Sequence, residues 1–287
     1  MLISKILYKI LPVKKFSKIR NRYYNFRQSL HKPLSEEQLK LIFTKKLGLK
    51  TGSVAFIHSS VGFLNTFVPP ERILEILLEI VGTEGTLIFP CWHFNYRAED
   101  YLKKNKIFDV ENSRTVMGVL PEIARTLPGA VRSLHPINSI LAIGKHAQEI
   151  TKDHHLSIYP CGELSPYYKM MEYNAIIVGL GVTSHFLSFV HCPEDVMKEN
   201  FPLNTRTDEV FDGKVKLANG EIMIVKTLAA HSNITNRDVP KFVRKHLNKQ
   251  IFTQFSSHGS SFFRADSVKL YHKITELATK GITIYHC

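Results

Sequence analysis

The sequence predicts an α/β protein: a single body with a central mixed, partly parallel sheet flanked by helices, plus a small antiparallel β excursion at about 205–227. Three observations lead there. Two short β-rich runs, Ser53–His58 (SVAFIH) and Thr86–Phe89 (TLIF), bracket a helical stripe, which is the pattern of a βαβ unit. Ala175–Leu180 (AIIVGL) carries no polar side chain, as a strand covered on both faces should. Beyond residue 205 the pattern shortens to brief β runs separated by Asp212-Gly213 and Asn219-Gly220, dipeptides suited to tight hairpin turns.

The elements follow in order. Ser35-Glu36-Glu37-Gln38 reads as a capping box opening a helix through Leu47, with Gly48 as its stop. After the first strand, Pro69-Pro70-Glu71 starts a helix whose Ile73, Leu74, Leu77, Leu78 and Val81 recur at helical spacing, and Gly82–Gly85 ends it. Met117–Thr126 is predicted as a helix, Ser139–Ile143 as a strand and His146–Thr151 as a helix. In the excursion, Val210–Phe211, Lys214–Leu217 and Glu221–Val225 are the expected strands. Val239–Leu247 and Ser267–Lys280 are expected helices, with Phe262–Arg264 and Ile282–His286 as strands.

The 287 residues are 44% hydrophobic and 22% charged, which is globular composition and leaves ample core for one body. The four cysteines, Cys91, Cys161, Cys192 and Cys287, show no metal-ligand spacing and no disulfide framework, so a reduced, cytoplasmic home is expected. No membrane-length apolar run and no signal-peptide pattern is visible. The net charge of +13 is uneven: residues 1–32 hold nine Lys/Arg and no acid, which leaves 29 basic against 25 acidic residues for the remainder. The chain therefore divides into a basic arm, 1–34, and a body, 35–287. Apolar residues interleave with the basic ones in the arm, which suits peripheral contact with an anionic membrane or packing on its own body or a second subunit; a homodimer is expected. The nearly balanced body, lacking a zinc finger, an aromatic-basic RNA motif or a helix-turn-helix, gives no support to nucleic-acid binding.

Chemistry-bearing residues cluster after the predicted strands, where ligands bind in open α/β sheets. His58-Ser59-Ser60-Val61-Gly62 follows the first strand and offers hydroxyls and open N–H groups to a phosphate, although an ordinary polar loop would read the same way. Of the fourteen histidines, His135 and His191 have the best contexts for a general base near neutral pH. Glu194 stands three residues after His191, close enough to orient it. Cys192 adjoins His191, so its side chain diverges and a thiol nucleophile is not expected. The Gly179-Leu180-Gly181 turn lacks the third glycine of a dinucleotide site. His154-His155 and the His191/Glu194 pair lack a third clear ligand, so no metal is expected. Trp92, Phe94 and Tyr96 suit either an apolar pocket or loop packing.

Together these segments resemble the aminoglycoside N-3-acetyltransferase family, also called the antibiotic N-acetyltransferase family. The matching text is HSSVGF at 58–63, VGTEGTLIFP at 81–90, FD at 108–109, MGVLPEIARTLPGAVRSLHPINSILAIGKHAQEIT at 117–151, GELSP at 162–166 and SFVHCPED at 188–195. Its order holds across roughly residues 35–200, and the RSxHP block is its most specific part.

The resemblance implies acetyl-CoA as donor and an amine on a sugar-like acceptor. It implies that His58, Ser59, Ser60 and Gly62, with Arg132 and Ser133, contact CoA. It implies His191 as the base, with Glu194 orienting it and Ser188 donating to the thioester oxygen; His135 stays a further candidate from its own loop context. Trp92, His93, Tyr96 and Asp109 are the acceptor-facing candidates. The region MIVKTLAAHSNITNRDV departs from the family pattern, leaving Glu221 as one candidate for a more distant acidic partner.

Lys198, Lys214, Lys216, Lys226, Arg237 and Lys241 among few acids favour an acceptor bearing phosphate, such as a nucleotide-linked amino sugar for surface polysaccharide, over a polycationic aminoglycoside. The alternatives are an aminoglycoside antibiotic as acceptor, a non-enzymatic CoA-fold regulator or binding protein, and a thiol-dependent or metal hydrolase.

Overall fold

The computed structural model describes residues 18–19, 21–23, 26, 28–231, 234 and 237–285. Most of the basic arm, and the end of the strand expected at 282–286, lie outside these residues. Residues 28–34 are tied to the body, because the Asn65 amide donates to the carbonyls of Gln28 and His31, and Leu34 N–H donates to Asn65.

The strands in chain order are β1 (Val54–Ser59), β2 (Thr86–Pro90), β3 (Ile107–Asp109), β4 (Ala130–Arg132), β5 (Ile140–Gly144), β6 (Ile176–Leu180), β7 (Arg206–Lys216), β8 (Ile222–Ala230), β9 (Phe252–Ser257) and β10 (Ser260–Asp266). The helices used below are α1 (Glu36–Leu41), α2 (Pro70–Val81), α3 (His191–Met197), α4 (Val239–His246) and α5 (Ser267–Ala278). Seven strands form one sheet in the order β4-β5-β2-β1-β6-β10-β9, and β3-β7-β8 form a second. β2 and β6 both run parallel to β1, while β5 is antiparallel to β2 and β10 to β6.

Local sequence accounts for these elements. Ser35 and Gln38 close both bonds of the capping box, at 2.9 and 3.3 Å, and the helix continues past α1 as a wider π-helical turn over Ile42–Lys46. The stripe on α2 buries Ile73, Leu74, Ile76, Leu77 and Val81, each contributing roughly 1.5–3 kcal/mol. Alternation along β1 splits the core: Val54 and Phe56 pack on one face of the sheet, Ala55 and Ile57 on the other. α2 covers the second face; α4 and α5 cover the first with Phe242, Leu270 and Ile274.

Two expectations are corrected and one strand is added. The excursion is one hairpin, with its turn at Asn219-Gly220 and strands running from 206 to 230, and Asp212-Gly213 lies inside β7. The glycine is needed there for close approach: a Cβ on Gly213 would sit 2.5 Å from Cγ of Pro136. β9 goes unpredicted because it is a polar outer strand, FTQFSS, joined to β10 through a turn at His258-Gly259. Residues 282–285 form no strand.

Candidate active site

β2, β1 and β6 are adjacent and parallel, so their carboxyl ends open at one edge of the sheet. The antiparallel β5 begins at that edge, since Ile140 pairs with Pro90. This topology brings the Ser59-Ser60 loop, Trp92-His93, the loop before β5 and the segment after β6 together. At the β6 exit Gly181 has φ +72°, and a Cβ there would lie 2.4 Å from the Ser60 carbonyl, so the two loops pack backbone to backbone.

His191 opens α3, directly after a 3₁₀ turn at Ser188–Val190. The three-residue spacing sets Ser188, His191 and Glu194 on one face. His191 Nδ1 lies 2.8 Å from Glu194 Oε2, and its Nε2 lies 3.0 Å from Arg237 Nη1. A guanidinium only donates, so Nε2 carries the lone pair and the Nδ1 hydrogen points at the carboxylate. The Glu194 side chain is 2% exposed, and Tyr285 donates its hydroxyl to both carboxylate oxygens at 3.2 and 3.3 Å. Burial, with Glu194 beside it, pushes the Tyr285 hydroxyl well above its ordinary range, so it remains a donor. Glu221 instead lies exposed at the hairpin tip beside Asn219.

The next residue, Asp195, anchors this arrangement. Its carboxylate is buried and forms a two-pronged pair with Arg206 at 2.6 and 2.7 Å, while Cys161 N–H donates to it. The pair fastens α3 to β7. Cys192 is fully buried, and burial raises its thiol well above the usual range.

The Ser188 hydroxyl, the Trp92 indole N–H and the Tyr167 hydroxyl are buried without a hydrogen bond of normal length. Tyr167 faces both Ser188 and Trp92. Ser59 and Ser60 are half-buried and Gly62 exposed at the rim, and among the described residues neither serine hydroxyl is engaged.

The other sequence-predicted residues make their contacts inside the fold. His58 shares the inward face of β1 with Phe56, lies edge-on to that ring at 4.6 Å, and is pushed down to about 3 by burial. Arg132 donates to the carbonyls of Val110, Ser113 and Cys91 and stacks over Phe108 at 4.6 Å, so its cation is used inside the fold. Ser133 Oγ lies 2.8 Å from His154 Nδ1, whose Nε2 hydrogen reaches the Pro160 carbonyl at 2.8 Å. His135 is completely buried, stacked on His154 at 4.4 Å, and accepts the Asn138 N–H at Nδ1. The RSxHP block is therefore engaged within the fold. Among the acceptor candidates, His93 stacks on Phe108, Tyr96 lies under the Lys104 ammonium, and Asp109 holds Asn112 and Lys216, while the buried Trp92 indole lies near Tyr167.

The buried histidines predict acid sensitivity. Burial holds His58 and His154 down to about 3 and His135 well below its ordinary value, whereas in the unfolded chain each takes up a proton near pH 6.5. Below that pH the unfolded state binds more protons, so stability falls as pH drops, by roughly 1.4 kcal/mol per pH unit for each such histidine. Urea midpoints measured between pH 7.5 and 5 should fall steeply; a flat profile would contradict the assignment.

A cleft of about 500 Å³ opens beside Glu194. Glu194, Glu199 and Asp208 line it, with Lys198 and Arg206 as its cations. Lys198 is paired with Glu163 and Arg206 with Asp195, which leaves the wall net acidic. Among the described residues, no group of three or more His, Cys, Asp or Glu side chains could hold a metal ion, and no helix is long and apolar enough to cross a membrane.

This α/β body has the fold of solved aminoglycoside acetyltransferases. The model of the family described as aminoglycoside 3-N-acetyltransferase matches residues 56–276, and the chain belongs to that family. Aminoglycoside N(3)-acetyltransferase IX of Micromonospora chalcea is 29% identical over 174 residues, which cover 54% of this chain and 61% of the relative. Aminoglycoside N(3)-acetyltransferase VII of Streptomyces paromomycinus is 30% identical over 167 residues, which cover 52% of this chain and 56% of the relative. The matches thus span less than two thirds of these relatives' length. The crystal structure of aminoglycoside acetyltransferase AAC(3)-Xa superposes with a TM-score of 0.74 at 19% identity, covering 94% of this chain and 99% of the other. The binary structure of AAC-IIIb with CoASH gives 0.71 at 20% identity, covering 87% and 98%.

These relationships correct the preference for a nucleotide-linked amino sugar in polysaccharide biosynthesis: the family and the relatives are described as aminoglycoside acetyltransferases. The physical reason is pairing. Lys198, Lys216 and Lys226, counted as free positive charge in the sequence, are each ion-paired with Glu163, Asp109 and Asp212.

Proposed function

We propose that the chain is an acetyl-CoA-dependent aminoglycoside 3-N-acetyltransferase working by direct transfer, with His191 as general base. The observation that carries this reading is the Nε2 lone pair of His191, oriented by Glu194 next to a net acidic cleft, in a member of this family. A polycationic acceptor suits carboxylates at Glu199 and Asp208.

Acetyl-CoA supplies the acetyl thioester. The buried donors at Ser188, Trp92 and Tyr167 fit its carbonyl oxygen, and the open Ser59 and Ser60 hydroxyls fit the pantetheine or phosphate arm. An amine attacks a thioester only through its lone pair. His191 Nε2 takes the N–H proton as the C–N bond forms. Glu194 holds the ring in the tautomer with Nδ1 protonated and stabilises the imidazolium. Ser188 donates to the oxygen on which charge develops, where one good donor is worth about 3–4 kcal/mol. As the C–S bond breaks, the imidazolium returns its proton to the departing thiolate. Two substrates and no enzyme-bound acetyl group balance the reaction.

Release of free CoA thiol on mixing the protein with acetyl-CoA and kanamycin- or gentamicin-type aminoglycosides tests the proposal. Turnover yielding the 3-N-acetyl product is expected. Absence of turnover across the drug panel, with CoA still raising thermal stability, would favour a binding protein instead.

A further inference from the structure

Arg237 has no role in the transfer outlined above, yet it holds the atom that transfer needs. Its guanidinium donates to Nε2 of His191 at 3.0 Å, while the other ring nitrogen is committed to Glu194. Resting on the acetyltransferase reading, we infer that Arg237 is a specificity-determining cap on the base: it covers the lone pair until an acceptor amine displaces it, and it disfavours acceptors of high positive charge. The geometry supplies both halves. A lone pair already receiving a charged hydrogen bond cannot take a proton from an amine, so Arg237 must leave before His191 can act. Arg237 is exposed and two residues before α4, so water can receive it when it swings away. Among the described residues, the groups that pair at or beside the ring are Glu194 on its own helix, Tyr285 on Glu194, Arg237 on Nε2, and the Asp195–Arg206 pair, already neutralised, on α3. Arg237 is thus, among the described residues, the cation bonded to the ring that an incoming ammonium group meets. It opposes the attraction exerted by the cleft carboxylates, and each added positive charge on the acceptor deepens that opposition.

The test uses the full chain and two variants. Arg237→Ala removes hydrogen bond and charge; Arg237→Gln removes the charge and keeps a donor. Diethyl pyrocarbonate modifies neutral imidazole through its lone pair, and peptide mass spectrometry reads His191 separately from the other histidines. Loss of one charged hydrogen bond should raise the modification rate of His191 about tenfold or more in Arg237→Ala, with a smaller rise in Arg237→Gln. With acetyl-CoA, kcat/KM of Arg237→Ala should rise about tenfold for aminoglycosides of four or five amino groups, and less for glucosamine, which has one. An unchanged His191 modification rate in Arg237→Ala would overturn the cap. So would a raised modification rate with kcat/KM unchanged or lower for every acceptor. The modification rate needs no turnover. If none of the three proteins acetylates any aminoglycoside, the acetyltransferase reading fails while the cap is still decided by the chemical probe.

Discussion

His191→Ala should lower kcat for aminoglycoside acetylation about 10²–10⁴-fold, the usual contribution of a positioned general base. The affinity for CoA, measured by calorimetry, and the melting temperature should stay close to wild type, because the ring is partly exposed, with its side chain at 20% accessibility. Glu194→Gln should lower kcat less, since an amide oxygen still accepts the Nδ1 hydrogen but no longer balances the imidazolium charge. A His191→Ala protein that is folded and turns over at the wild-type rate would remove the base from the mechanism.

The largest stability effect is expected at Arg206. Its pair with Asp195 is buried, with side-chain accessibilities of 12% and 0%. Burial favours the neutral forms of both, and the close opposite charge opposes it; for Arg206 the attraction of Asp195 prevails and holds the cation firmly charged. Arg206→Met strands a carboxylate that retains only the Cys161 N–H, and should cost about 3–5 kcal/mol in urea unfolding. Adding Asp195→Asn should recover part of the loss. A cost below about 1 kcal/mol would mean the pair is not buried in solution as described. The pair also bears on chemistry, because Asp195 adjoins Glu194 and fixes the helix that carries the His–Glu contact.

Much of this was legible in the sequence where the signal is local. β1, α2 and β2 follow from apolar periodicity and a proline start within about forty residues. The His191–Glu194 contact follows from i,i+3 spacing at a helix start. The partners that complete the site were not legible, because they arrive from far along the chain. Arg237 is 46 residues from His191, and Tyr285 is 91 from Glu194, with no motif around either. Direction was the second blind spot. Arg132, Ser133 and His135 have the residue types of a ligand loop, but which way a polar side chain faces depends on carbonyls such as Cys91 and Ser113 and on the His154 ring. Charge counting failed for the same reason: Lys216 and Lys226 are cations in a list and ion pairs in space.

The distance between the acceptor amine and Nε2 of His191 in a crystal of the ternary complex with CoA and an aminoglycoside tests the central claim most directly. The account predicts the reacting amine within hydrogen-bond reach of Nε2, about 2.6–3.2 Å, or one water away, with Arg237 swung aside. An amine seated in the cleft but beyond reach of the imidazole, with another side chain at its nitrogen, would contradict it.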